Sequence, residues 1–367
     1  MPTPTAPLLA PYTNPLSPTT PRGALTLLTS VLGATGNWVV VRVLCDALAG
    51  EGMGVGMRMG SEGGMSMGGD RKVVVVLVSF LRGWEFWRGE GRRVGLDLNR
   101  LSNQGSFVFI DGLSELFSTP QQTPAPAPAP TAPSSSAIPS RTPLRPQPAR
   151  GTGPLPIRPA ATTTTTTTTS TSNQPKPASQ RKLHWSSKAG LDALEQAISS
   201  AIDDVTGSTA SDERPVENEV LLVLDQPDLL LAATGPGMGV GAVEMGEWVM
   251  GLRERVHSTL VTLSADSPLI HIASDTNEVQ QQPTPLETEH AALVVGMAHQ
   301  ARTVMQLRGL DTGVARDVSG VLRISKGGGW AEMRGKGDGQ TEGEVEEKEV
   351  LYFVQGDGAV RVFGRGE

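Results

Sequence analysis

Apolar positions along this chain come in two textures. Short unbroken runs bounded by turn residues mark strands covered on both faces, and apolar residues three or four apart mark helices. ALTLLTS (Ala24 to Ser30), KVVVVLVSF (Lys72 to Phe80), SFVFID (Ser106 to Asp111), NEVLLVLD (Asn218 to Asp225), PLIHIAS (Pro268 to Ser274) and VSGVLRIS (Val318 to Ser325) are of the first kind. NWVVVRVLCDALAG, from Asn37, reads as a helix. WEFWRGEGRRVGLDLNRL, from Trp84, repeats Trp84, Trp87, Val94, Leu98 and Leu101 and predicts one helix despite its glycines. Leu191, Leu194, Ile198 and Ile202 share a helical face. Trp248, Leu252, Val256 and Leu263 predict a long helix from about Met245. Val294, Ala298, Ala301 and Met305 predict another, ending near Arg308. EVLYFVQGDGAVRVF, from Glu349, is a hairpin whose GDG offers the positive φ of a tight turn.

Strands alternating with helices imply an α/β fold, a mostly parallel sheet flanked by helices with a hairpin at its carboxyl end. The expected organisation is an unstructured start over 1–23 and a single domain over 24–364. Loops poor in branched residues interrupt it at 50–71, 118–180 and 327–349. Glycine (43) and proline (28) are abundant among 367 residues, and 38% hydrophobic content fits a modest core with unstructured insertions.

A net charge of −7 argues against a broadly basic nucleic-acid surface, though the Pro/Thr-rich insert carries Arg141, Arg145, Arg150, Arg158 and Lys176 without an acid. The lone cysteine, Cys45, precludes an intrachain disulfide, suits a reducing compartment and reads as a buried helical thiol. The longest apolar run, Val73 to Leu81, is too short to span a bilayer, and the Pro-rich start lacks a signal peptide's pattern. The expectation is a soluble intracellular protein without membrane contact.

The stretch LTSVLGATGNWVV, from Leu28, has the strand, loop, helix order of a phosphate-binding loop. A working loop reads G-x-x-x-x-G-K followed by Ser or Thr. With Gly36 as its second glycine, Val31 replaces the first, Asn37 the lysine and Trp38 the magnesium-holding hydroxyl. A triphosphate would meet no cation in the loop, so hydrolysis lacks its charge stabiliser. Asp225 and Asp111 each end an apolar run and suit either a metal or, more commonly, a structural cap. GPGMGVGA, from Gly235, contains a dinucleotide-like glycine pattern but does not directly follow a strand. His184, His257, His271, His290 and His299 show no metal-ligand spacing, and no nucleophile elbow occurs. No catalytic residue, cofactor or metal is expected.

The stretches starting at Val78 (VSFLRGWEFWRGEGRRVGLDLNRLSNQGSFVFIDGLSELF), Val220 (VLLVLDQPDLLLAATG) and Ala298 (AHQARTVMQLRGLDTGVARDVSGVLRISKGG), with the hairpin, resemble the family of the sixth subunit of the Elongator complex in filamentous fungi. The resemblance covers most of the chain outside the low-complexity segments. It implies a RecA-like fold without nucleotide motifs. It also implies a hetero-hexameric ring shared with the fourth and fifth subunits. That ring attaches to the catalytic Elongator core, binds tRNA and supports carboxymethyl-type modification of the wobble uridine, in the cytoplasm and nucleus. Radical chemistry belongs to another subunit.

Trp84, Phe86 and Trp87, just after a strand's carboxyl end, suit either core packing or a partner interface. Arg308, Asp311, Arg316, Asp317 and Arg323 suit internal salt bridges or contact with a partner or RNA. Two other functions stay open: a RecA-type ATPase acting on nucleic acid, and a scaffold without RNA contact.

Overall fold

The computed structural model of the chain describes residues 7–17, 20–48, 72–118, 180–207, 218–270, 283–310, 313, 315–330 and 346–364. All of them fall in one contact unit, Met1–Ser118 with Lys176–Glu367. The chain opens with a short helix α1 (Ala10–Thr13), then β1 (Ala24–Ser30), α2 (Asn37–Leu48) and β2 (Val73–Ser79). Helices α3 (Trp84–Arg93) and α4 (Leu98–Asn103) lead to β3 (Phe107–Asp111). Then come β4 (Gln180–Lys182), α5 (Gly190–Gly207), β5 (Glu219–Asp225), α6 (Asp228–Thr234) and α7 (Ala242–Glu254). The last third is β6 (Ser258–Ser264), α8 (Ser267–Ile270), α9 (Pro285–Gln300), β7 (Thr303–Arg308), β8 (Gly320–Lys326), β9 (Lys348–Val354) and β10 (Val360–Phe363).

These ten strands form one sheet, ordered β10-β9-β8-β7-β1-β6-β5-β2-β3-β4. The run from β7 to β4 is parallel, while β8, β9 and β10 are antiparallel. Alternation along each strand sends successive side chains to opposite faces, so a strand with two covered faces must be apolar throughout. Leu28, Val75, Leu77, Phe107, Phe109, Leu221 and Val223 face one core with α2, α3 and α4. Leu25, Leu27, Val76, Val78, Val108, Ile110, Val220, Leu222 and Leu224 face the other with α5, α6, α7 and α9. The α/β sheet flanked by helices, with its carboxyl-terminal hairpin, is the architecture that the pattern predicts.

Several elements differ from expectation. The helix predicted through Leu263 stops at Glu254, and Ser258–Ser264 is strand β6. The segment lies between β1 and β5, whose ladders pair its backbone on both sides, and Thr259, Val261 and Thr262 are β-branched. The strand predicted over PLIHIAS is instead the helical turn α8 as far as Ile270, the rest lying outside the described residues. The helix predicted to Arg308 ends at Gln300, where Ala301 turns extended (φ −68°, ψ 142°) and β7 joins β1 and β8. The single helix from Trp84 is two, because Gly95 at φ +82° breaks it.

The Pro-rich start, expected to be unstructured, folds over 7–17. Leu9 enters the core beside α2, and Thr13 Oγ1 donates to Asp46. The Gly-rich segment at 327–349 also begins packed: Gly328 N–H donates to Ala298 C=O at 3.1 Å and Gly329 N–H to Ala301 C=O at 3.0 Å. Lys348 and Glu349 open β9. The predicted loop at 50–71, residues 119–179 of the one at 118–180 and residues 331–345 of the one at 327–349 lie outside the described residues, while Gln180 opens β4.

Cys45 is buried on α2, and burial pushes its thiol up to about 11. No described helix is long and apolar enough to cross a membrane.

Candidate functional site

Parallel strands put their carboxyl ends on one edge, the usual place for ligands in such sheets. Register fixes what stands there. Ser30 pairs with Ser264, Asp225 with Thr262 and Ser79, and Ser79 with Asp111. The edge is therefore a polar row above two apolar cores.

At one position along this row is the β1–α2 turn. Val31 and Ala34 bridge across it, Ala34 N–H donates to Val31 C=O at 2.9 Å, and Gly33 takes φ +86°. Leu32 at the tip is 93% exposed, its N–H held by Asp266 Oδ1 at 2.7 Å. Gly36 is small for a packing reason: a Cβ there would meet Leu28 Cδ2 at 3.1 Å. Asn37 starts α2 and its amide donates to Glu90 Oε2 at 3.2 Å, so an acid stands beside the position of the sought cation. Trp38 is buried, its ring 5.0 Å from that of Tyr352 on β9. The turn thus offers a carboxylate and core side chains where phosphate binding needs positive charge.

The centre of the row is Asp225. Its carboxylate accepts from Ser79 Oγ (2.6 Å), from Arg82 Nη1 (3.0 and 3.2 Å) and from Thr262 Oγ1 (3.1 Å). Ser79 Oγ in turn accepts from Arg82 N–H at 2.9 Å, and Thr262 Oγ1 from Gln226 N–H at 3.0 Å. Burial pushes the Asp225 carboxyl up, against the pull of the Arg82 guanidinium and the two hydroxyls. Asp225 is held in an ion pair with Arg82 and makes no cap. Asp111 does cap: its Oδ1 accepts from Leu113 and Ser114 N–H at 2.9 and 2.8 Å. Arg82 and Thr262 were missed because nothing in their local spacing marks them; only the sheet brings them to Asp225.

Beyond Asp225 the chain turns through Gln226 at φ +55° into α6. Asp228 Oδ2 there accepts from Ser264 N–H at 3.1 Å and meets His290 Nε2 of α9 at 3.2 Å, both side chains buried. The glycine-rich GPGMGVGA gives no free anion site. Gly241 N–H is taken by Glu244 Oε2 (2.9 Å) and Ala242 N–H by Glu289 Oε2 (2.7 Å). His257 Nδ1 accepts from Val220 N–H at 3.1 Å. Among the described residues no group of three His, Cys, Asp or Glu is placed to hold a metal.

The aromatic group divides. Trp87 is fully buried, which removes it as a surface contact, because its ring fills the core over β2 and β3. Trp84 is half-buried against Phe107 and Phe109, with ring centroids at 6.2 and 5.6 Å. Phe86 is exposed, beneath the Arg82 guanidinium at 5.2 Å. Arg308 ends β7 and pairs with Glu349 Oε2 at 3.4 Å, an internal bridge. Arg323 on β8 stands opposite Glu349 in the ladder and is exposed, as are Arg316 and Asp317; Asp311 lies outside the described residues. The structure therefore gathers Arg308, Arg323 and Glu349, and it leaves Arg316 and Asp317 exposed.

Comparison with known proteins adds identity. Elongator complex protein 6 of Xenopus laevis is 30% identical over 71 residues, 19% of this chain and 27% of that protein. The matched stretch thus spans about a quarter of that relative's length. The family described as Elongation complex protein 6 matches residues 160–345, which include Asp225, Thr262, Arg308 and Arg323. That span is just over half of the 367 residues, and the chain belongs to the Elongation complex protein 6 family.

Proposed function

We propose that this chain is a non-catalytic subunit of the Elongator assembly that supports modification of the tRNA wobble uridine with carboxymethyl-type side chains. Family membership supports the assembly half of this reading. One structural observation carries the non-catalytic half: the β1–α2 turn holds a glutamate-bound asparagine and a core tryptophan in place of lysine and hydroxyl. We read the fold as RecA-like with a degenerate phosphate loop. In support, the β1–α2 turn and Asp225 lie on the same carboxyl edge, with β6 between their strands.

On this reading the chain joins the fourth and fifth Elongator subunits in a ring, bears on the catalytic core, and meets tRNA as part of that ring, in the cytoplasm and nucleus. Exposed Leu32, Leu81 and Leu113, at the turns after β1, β2 and β3, give the edge apolar surface for a neighbouring subunit. Phe86, Arg316, Asp317 and Arg323 remain candidate contacts with a partner or RNA. The test is co-expression with the two related subunits followed by size-exclusion chromatography and an ATPase assay of the chain alone. Co-elution of all three with no turnover by this chain is expected. Failure to co-elute sinks the assembly, and ATP turnover that disappears in Asp225→Asn sinks the non-catalytic reading.

A further inference from the structure

The Asp225 cluster has the chemistry of a hard-cation site. Two hydroxyl oxygens flank the carboxylate: Ser79 Oγ lies 2.6 Å from Oδ2 and Thr262 Oγ1 3.1 Å from Oδ1. Carboxylate and hydroxyl oxygens at a strand's end, completed by water, are what magnesium and manganese take. The carboxylate is 2% exposed, so it needs a positive partner within its own pocket. That partner is Arg82, whose Nη1 lies 3.0 and 3.2 Å from the two carboxylate oxygens.

Arg82 is held from three sides. Its backbone N–H donates to Ser79 Oγ at 2.9 Å, and its guanidinium lies 5.2 and 5.9 Å from the ring centroids of Phe86 and Trp87. Its side chain is 18% exposed against 2% for Asp225, so what solvent the pair meets is met by the arginine. Cation–π contacts and a close charge pair both favour this placement.

We propose that Arg82 is a tethered resident cation, standing where a divalent metal would otherwise sit against Asp225, Ser79 and Thr262. The chain carries its own counter-ion, which keeps the carboxyl edge ordered without metal or nucleotide. This rests on the non-catalytic reading above and deepens it: the edge has lost the loop cation and also replaced the metal. It follows that removing the guanidinium uncovers a divalent-cation site that the natural chain does not present.

The experiment uses the full-length chain, wild type and Arg82→Ala, titrated with Mn2+ and followed by electron paramagnetic resonance and thermal melting. Arg82→Ala is expected to gain one saturable Mn2+ site, and its melting temperature to rise with Mn2+ while that of wild type does not. Adding Asp225→Asn to the variant should abolish both responses. Methylguanidinium, a free copy of the lost group, should compete with Mn2+ for the variant and raise its melting temperature alone. Arg82→Met keeps an unbranched stem across the rings without the charge, and it carries the same expectations if Arg82→Ala does not fold. Equal Mn2+ binding by wild type, no gain in a folded variant, or a site that survives Asp225→Asn overturns the proposal. None of these results depends on partner subunits or ATP, so they stand apart from the tests of the proposed function.

Discussion

Asn37 and Trp38 are the residues at which local chemistry speaks most directly. On the degenerate-loop reading proposed above, an amide in place of lysine and an indole in place of a hydroxyl remove charge and metal ligand whatever the fold does around them. The structure adds Glu90, which occupies the Asn37 amide from another helix. Arg82 is the opposite case. Its role depends on a carboxylate 143 residues away, so no local window reveals it. Removing Arg82 leaves Asp225 as a buried charge without a counter-ion, which costs about 3–5 kcal/mol. The sign of the pH dependence follows. Burial raises the Asp225 carboxyl, and losing Arg82 removes a downward pull, so the folded variant favours the protonated form. Its stability from this group is complete below the unfolded carboxyl pKa, about 3.9, and is lost as pH rises through the raised folded value. Urea melts of Arg82→Ala and wild type should therefore converge as pH falls from neutral toward the unfolded carboxyl pKa of about 3.9. A gap that widens toward acid contradicts the assignment.

At the scale of elements, the apolar strands announced themselves. Val73 to Ser79 and Glu219 to Asp225 are buried on both faces, and continuous branched residues leave few other options. The misread boundaries share a cause. From Val256 to Leu263 and from Ala301 to Met305 the apolar spacing fits either period over a few residues. Ladder partners on β1 and β5, or on β1 and β8, decide such cases by pairing the backbone of an extended chain. The junction after β8 shows how closely these pieces meet: a Cβ on Gly327 would lie 2.1 Å from the Ala301 carbonyl oxygen. Gly327→Ala must push β8 away from the end of α9 and is expected to cost about 1–3 kcal/mol, read by chemical denaturation. A change at Gly33, where no atom lies within 4 Å of a Cβ, tests the turn's φ +86° instead and is the control for strain without crowding.

For the whole molecule, the Pro/Thr-rich segment over 119–175 has the composition of a linker rather than of a packed element. Deleting it while keeping Gln180–Lys182, which pair with β3, should leave the melting temperature and ring assembly unchanged. Closing a shorter loop costs little entropy. A large drop in melting temperature, or loss of co-elution with the related subunits, would show that the segment contributes packing. The amino acid order alone settled the α/β class and the hairpin, because periodicity and residue type are local properties. Tertiary structure alone decided which helices give way to strands, that Trp87 is core rather than surface, and that Arg82 neutralises Asp225. Each of those depends on what the backbone or side chain meets across the sheet, and such meetings join residues far apart along the chain.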